Sequence, residues 1–293
     1  MKRKVSSLLF ALMFLLGFGI LVYPTVADQW NTYRQSHLIS TYEKVVQEME
    51  KEDFSEFWEA ARSFNENITE NKLYEDVFGI DNSDMKDTEY WKVLNLAGDG
   101  VMGYISIPKI NIKLAIYHGT AEDVLQTGVG HLGGTKLPIG DETSHSVLAA
   151  HRGLPSARLF TDADQLVKGD MFYVHVLDET FAYQVDAIFD MIDKDDADAL
   201  QEALAMEEGK NQVTLFTCTP YGVNSHRLLV RGTRVPYNGE EHIEMTIPET
   251  MVQAVQNYYM IYLILGLSIT LLVIIIMKSV FKRKDNNNKQ MKE

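Results

Sequence analysis

The sequence predicts a mainly β protein: a closed or nearly closed barrel with short helices, carried between two membrane-crossing helices. Three observations predict it. Beyond residue 100 the chain breaks into short runs rich in Val, Ile, Tyr, Phe and Thr, punctuated by Gly, Pro, Asn and Asp. Before residue 100 the apolar residues recur at helical spacing. Near each end lies an apolar segment long enough to cross a hydrocarbon core.

Residues 1–4 carry Lys2, Arg3 and Lys4 and read as a short cytoplasmic end. Residues 5–27 form the first apolar segment, a transmembrane helix or signal anchor. Thr25-Val26-Ala27 makes only a weak small-residue cleavage site. The second, 258–277, has no charge and is followed by Lys278, Lys282, Arg283 and Lys284 in the tail 278–293. By the positive-inside rule both basic flanks face the cytoplasm, so the body between the spans lies outside the cell. The chain has 293 residues and a net charge of −14. Both ends are basic, so the body is more acidic still, which argues against nucleic acid as a partner.

Within 28–100, residues 29–66 read as one helix. Tyr42, Val45, Val46, Met49, Phe54, Phe57, Trp58 and Ala61 recur at three-to-four spacing, with no Gly or Pro between them. Residues 65–100 are acidic and irregular, with a turn cluster at 79–83 and a short helical piece near 89–95. The barrel, 101–240, supplies strand runs at 101–107, 112–117, 146–150, 171–177, 181–191, 212–218 and 226–235. Residues 171–191, broken at Asp178-Glu179, form a hairpin. Short helices are expected at 121–126, 156–160 and 196–207. Residues 241–257 link the barrel to the second span.

Cys218 is the only cysteine, so no internal disulfide exists in a compartment that would permit one. A lone cysteine is most often a small buried hydrophobe. Here it ends a strand run, Thr214-Leu215-Phe216-Thr217-Cys218, stopped by Pro220 and Gly222. A strand end can present a side chain to a groove, and a thiolate beside a cation is a competent nucleophile toward an amide carbonyl. Of the eight histidines, His151 ends the apolar run 146–150 in the same way and is the candidate partner. His226 and Arg227 alternate on their strand, so only one of them faces the thiol. Arg227 is the better choice, because a guanidinium is always charged and presents several donors toward a developing oxyanion. Arg231 and Arg234 read as structural ion pairs. One cysteine excludes a multi-cysteine zinc site, and His145 with His151 has no third ligand at metal spacing. A papain-like order would place the cysteine before the histidine.

The run Thr214-Leu215-Phe216-Thr217-Cys218 resembles the Thr-Leu-x-Thr-Cys signature of sortases. The stretch 219–232 looks like the class C, pilus-assembling branch found in Gram-positive bacteria, as do 101–110, 128–132 and 151–157. The resemblance implies an eight-stranded sortase-type β-barrel and a catalytic triad of His151, Cys218 and Arg227. It implies cleavage of an LPXTG-like sorting signal between Thr and Gly through a thioacyl enzyme. The acyl group then passes to a lysine amine of the next pilin, with no metal or organic cofactor. The partners so implied are pilin or surface-protein substrates bearing such signals. Class C members carry an N-terminal lid with an acid-Pro-aromatic motif. Its nearest equivalent here is Asp76-Val77-Phe78, with valine in place of proline; Asp28-Gln29-Trp30 is a rival that abuts the first span. On this reading Asp76 pairs with Arg227 or another cation and Phe78 covers the thiol. Two alternatives are a sortase that anchors surface proteins to peptidoglycan, and a membrane-held scaffold that only binds.

Overall fold

The computed structural model describes residues 2–71, 77–78, 88–241, 266 and 270. Helices α1 (Lys2–Glu48) and α2 (Lys51–Glu66) come first, and α3 (Glu89–Lys92) leads into β1 (Val101–Ile107) and β2 (Ile112–His118). Helix α4 (Glu122–Leu125) precedes β3 (Val129–His131) and β4 (Ser144–Ala149); β5 (Met171–Val176) and β6 (Glu179–Asp193) form the expected hairpin. Helix α5 (Ala197–Ala203) precedes β7 (Asn211–Thr219) and β8 (His226–Val235). The eight strands close in the order β1-β2-β3-β4-β7-β8-β6-β5, with β2/β3 and β4/β7 parallel and the rest antiparallel.

Four details differ from the expectation. The helix expected over 29–66 breaks at residues 49–50, between α1 and α2. Strand β3, Val129–His131, has only three residues with a central glycine, so it shows no strand run in the sequence. A Cβ on Gly130 would stand 2.3 Å from the Gly119 carbonyl oxygen, so the glycine is what lets β3 sit between β2 and β4. Residues 156–160 are not helical. Leu154 bridges Ala157, and the Phe160 N–H donates to the His151 carbonyl at 3.2 Å, folding this stretch back as a loop. Helix α5 is shorter than expected, capped by Asp196, whose side chain accepts from the Ala199 N–H.

Strand alternation sorts the barrel's apolar residues into two cores. Leu148, Ala150, Val213, Leu215, Leu228 and Val230 point inward with Phe172 and Tyr183. Val147, Ala149, Phe216 and Leu229 point outward and are covered by Leu200 and Ala203 of α5, Leu125 of α4, and Val77. The second half of α1 is fastened to the barrel by buried polar side chains. Asn31 and Gln35 donate to the Thr127 carbonyl at 3.2 and 2.6 Å, and Gln35 accepts from the Ala115 N–H at 2.8 Å. The Tyr42 hydroxyl donates to the Met102 carbonyl and accepts from the Leu177 N–H.

The chain divides into two compact units, residues 1–23 with 244–293 and residues 24–243. Among the described residues, one helix is long and apolar enough to cross a membrane, and it lies in α1 from Leu12 onward. The second expected span, its linker from 242 and the basic tail fall outside the described residues, apart from Gly266 and Thr270. Both are helical, and a Cβ on Gly266 would stand 3.0 Å from the Phe18 ring.

His131 is fully buried. Its Nε2–H donates to the Lys136 carbonyl at 3.0 Å, which leaves Nδ1 to accept from the Tyr90 hydroxyl at 2.8 Å. Burial holds its pKa down to about 4. Between about pH 6.5 and 4 the unfolded chain therefore binds a proton that the folded chain does not, and stability falls as pH falls through that window. His118 and His145 are shifted in the same direction, also chiefly by burial. Denaturant melts at pH 7.5 and 5 should show a loss at the lower pH, with on the order of 2 kcal/mol from His131 alone; a flat profile would contradict the buried neutral assignment.

Candidate active site

Three adjacent strands, β4, β7 and β8, bring the chemistry together. Their register pairs Val147 with Thr214 and Thr214 with Arg231; one row on, it pairs Ala149 with Phe216 and Phe216 with Leu229. The next row pairs Cys218 with Arg227, and continuing the β4 register by two residues sets His151 opposite Cys218. Paired residues point to the same side of a sheet. His151, Cys218 and Arg227 therefore form one row across three strand ends, on the outer face that also carries Ala149, Phe216 and Leu229.

Cys218 is 6% exposed and Arg227 is 3% exposed. The Arg227 guanidinium is anchored by Nη1 donating to the carbonyls of Asn224 and His226, at 3.0 and 2.9 Å. This fixes its plane before any ligand arrives. His226 alternates to the other face, where its Nδ1 meets the Ser225 hydroxyl at 2.8 Å. Arg231 is held by Asp186 and Glu207, as an ion-paired arginine would be, and Arg234 bonds the Gly140 carbonyl.

A family model, Sortase domain, matches residues 105–235, a span that holds all three residues of the row. The chain belongs to the sortase family. Sortases are cysteine transpeptidases. Sortase C1 from Streptococcus agalactiae is 46% identical over 69% of this chain and 100% of its own, with a TM-score of 0.61. A Streptococcus pneumoniae sortase C, whose structure bears on catalysis and pilin substrate specificity, is 40% identical over 69% of this chain and 97% of its own, with a TM-score of 0.58. Sortase D of Bacillus subtilis is 32% identical over 136 residues, and the match spans 63% of that protein's length. The solved structural neighbours are thus class C sortases, and the closed eight-stranded barrel is the sortase fold.

In this sortase the row is covered. Phe78 stacks on the His151 ring at 5.2 Å, packs on Phe216 at 5.9 Å and lies under the Arg227 guanidinium at 5.3 Å. Those three residues are the same-face neighbours of Cys218 in the strand register, so the ring packs against the side chains that flank the thiol. Val77 beside it is fully buried. Asp76 lies outside the described residues. The rival Asp28-Gln29-Trp30 belongs to α1. Asp28 accepts from the Arg158 N–H at 2.8 Å, and Trp30 is 63% exposed beside Tyr33.

Sequence reasoning missed Glu122. Its carboxylate stands 3.4 Å from His151 Nε2, and Gln126 one turn on donates to its other oxygen at 2.8 Å. The Gln126 amide first, and the His151 imidazole after it, hold this carboxyl below the usual range against opposing burial. Glu122 opens a single-turn helix beside Asp123, so nothing in its spacing marks it.

Proposed function

We propose that this sortase is a membrane-held cysteine transpeptidase that polymerises pilin subunits, with Cys218 as nucleophile, His151 as acid and base, and Arg227 as oxyanion or peptide-orienting group. The observation that carries the reading is the single row formed by these residues on one face. The Cys218 thiolate adds to the threonine carbonyl of an LPXTG-like signal, and the Thr–Gly C–N bond breaks as His151 gives its proton to the departing glycine amine. A thioester remains. A lysine amine of the next pilin then attacks it, passes a proton to the neutral His151 and restores the thiolate. Attack by an amine conserves acyl energy that water would dissipate. Arg227, pinned by two backbone carbonyls, meets the developing negative charge with little reorganisation.

Pilin as the acceptor is supported by the likeness to class C sortases, one of which is described in terms of pilin substrate specificity. The apolar stretch of α1 and the basic ends support a catalytic domain held outside the cell, with both termini cytoplasmic. Phe78 is the plug of a lid that must move before substrate enters, and Asp76 is its acidic partner.

The test supplies the detergent-solubilised full chain and a sorting-signal peptide with two competing amines, a pilin-derived lysine peptide and a peptidoglycan cross-bridge amine. The pilin lysine is expected to take most of the acyl group. Preference for the cross-bridge amine would make the protein a wall-anchoring sortase, and hydrolysis alone would contradict transpeptidation.

A further inference from the structure

The backbone ladder between β4 and β7 stops just before the His151–Cys218 pair. Its last rung is the Ala150 N–H donating to the Phe216 carbonyl at 3.2 Å. Beyond it the two segments are joined by side chains. The Thr217 hydroxyl donates to the Ala150 carbonyl at 2.7 Å, and Arg152 Nη1 donates to the Thr219 hydroxyl oxygen at 3.2 Å. These two bonds bracket the pair, one on each side along the strands.

Arg152 does more than close that bracket. Its Nε donates to the Thr161 carbonyl at 3.1 Å, and its remaining nitrogen is ion-paired with Asp164. Its side chain is only 8% exposed. A guanidinium taken out of water persists only where its donors are met, and here one planar group meets three segments at once. They are the residue after Cys218, the loop after His151, and the turn beginning at Ala163. By alternation Arg152 and Thr219 lie on the face opposite His151 and Cys218, so this clamp works from behind the groove and leaves it open to a peptide.

We propose that Arg152 is the positioning residue of this sortase: through Thr219 it sets the spacing and orientation of the His151 imidazole relative to the Cys218 thiol. The inference rests on the reading of His151 and Cys218 as the reacting pair. Only an arginine can meet Thr219, Thr161 and Asp164 together, because a lysine ammonium has no rigid fork. Misplacing a reacting group by about 1 Å costs on the order of 100-fold in rate.

The test compares the full chain with Arg152→Ala, Arg152→Lys and Thr219→Val. It measures kcat and KM on a sorting-signal peptide, and the rate of Cys218 alkylation by iodoacetamide from pH 5 to 9. The charged groups around the thiol in this profile are His151, Arg227 and, through His151, Glu122. Arg152→Ala should lower kcat by roughly 10- to 100-fold with KM within about twofold, and should move the alkylation profile to higher pH. Arg152→Lys should fall between it and wild type. Thr219→Val keeps shape and removes only the bond behind the thiol, so it should act in the same direction even where Arg152→Ala fails to fold. Wild-type kcat and an unmoved alkylation profile in Thr219→Val would overturn the proposal. So would losses in the Arg152 variants that merely track the folded fraction. A wild-type chain that never acylates would refute the transpeptidase reading instead, and its alkylation profiles would still decide the role of Arg152.

Discussion

Cys218→Ala is expected to lower cleavage of a sorting-signal peptide by on the order of 10⁴-fold or more while leaving the thermal melt close to wild type. Both halves follow from where the residue sits. The sulfur lies on the outer face of a strand end, in a row with an imidazole and a guanidinium, and outside the apolar packing of the barrel interior. Losing one sulfur atom there leaves the inward core of Leu148, Leu215 and Val230 untouched. A cysteine that only filled space would give the opposite pair of results, full activity with reduced stability. A surface scaffold would give full function in cells with the alanine in place. The measurement is peptide turnover and melting temperature on the same preparation.

Phe78→Ala is expected to raise both peptide cleavage and the alkylation rate of Cys218. The Phe78 ring makes two aromatic contacts and one cation–π contact, to His151, Phe216 and Arg227. At about 0.5–1 kcal/mol each these sum to roughly 2 kcal/mol favouring the closed lid. Removing them shifts the open fraction by about 30-fold if that fraction is small. Valine at position 77 restricts the backbone less than a proline would, so in the proposed lid the side-chain contacts of Phe78, together with the buried Val77, hold the segment down. Deleting residues 72–82 should match or exceed the effect. Rates unchanged in both variants would mean that the ring does not gate the thiol.

The barrel was legible because most of its strands are long enough to show a β-branched and aromatic run, and because Cys218 and His151 sit where a run stops and Arg227 where one begins. Parity did much of the rest. Once β7 and β8 pair, the choice between His226 and Arg227 is made by which of them falls opposite Cys218. What stayed hidden depends on contacts between distant segments. Strand β3 is too short to show a period, and its Gly130 answers a close approach that no local pattern encodes. The break before α2 interrupts a periodicity that runs straight through it, so spacing alone could not show it. Glu122 and Arg152 have ordinary surface identities in the sequence, and acquire their places only when α4, the loop after β4 and the end of β7 meet. Phe78 stood out in the sequence as an aromatic residue, but its contacts with His151, Phe216 and Arg227 required the fold.

The central claim, that the 151–218–227 row is a transpeptidase centre, is tested most directly by intact-protein mass spectrometry. The full chain, carrying Phe78→Ala to open the row, is incubated with a sorting-signal peptide in the absence of an amine acceptor. The account predicts a covalent adduct whose mass is that of the peptide truncated after threonine, mapped to Cys218 and discharged on addition of a lysine peptide. Peptide cut elsewhere, or an unmodified Cys218 while the peptide is consumed, would contradict it.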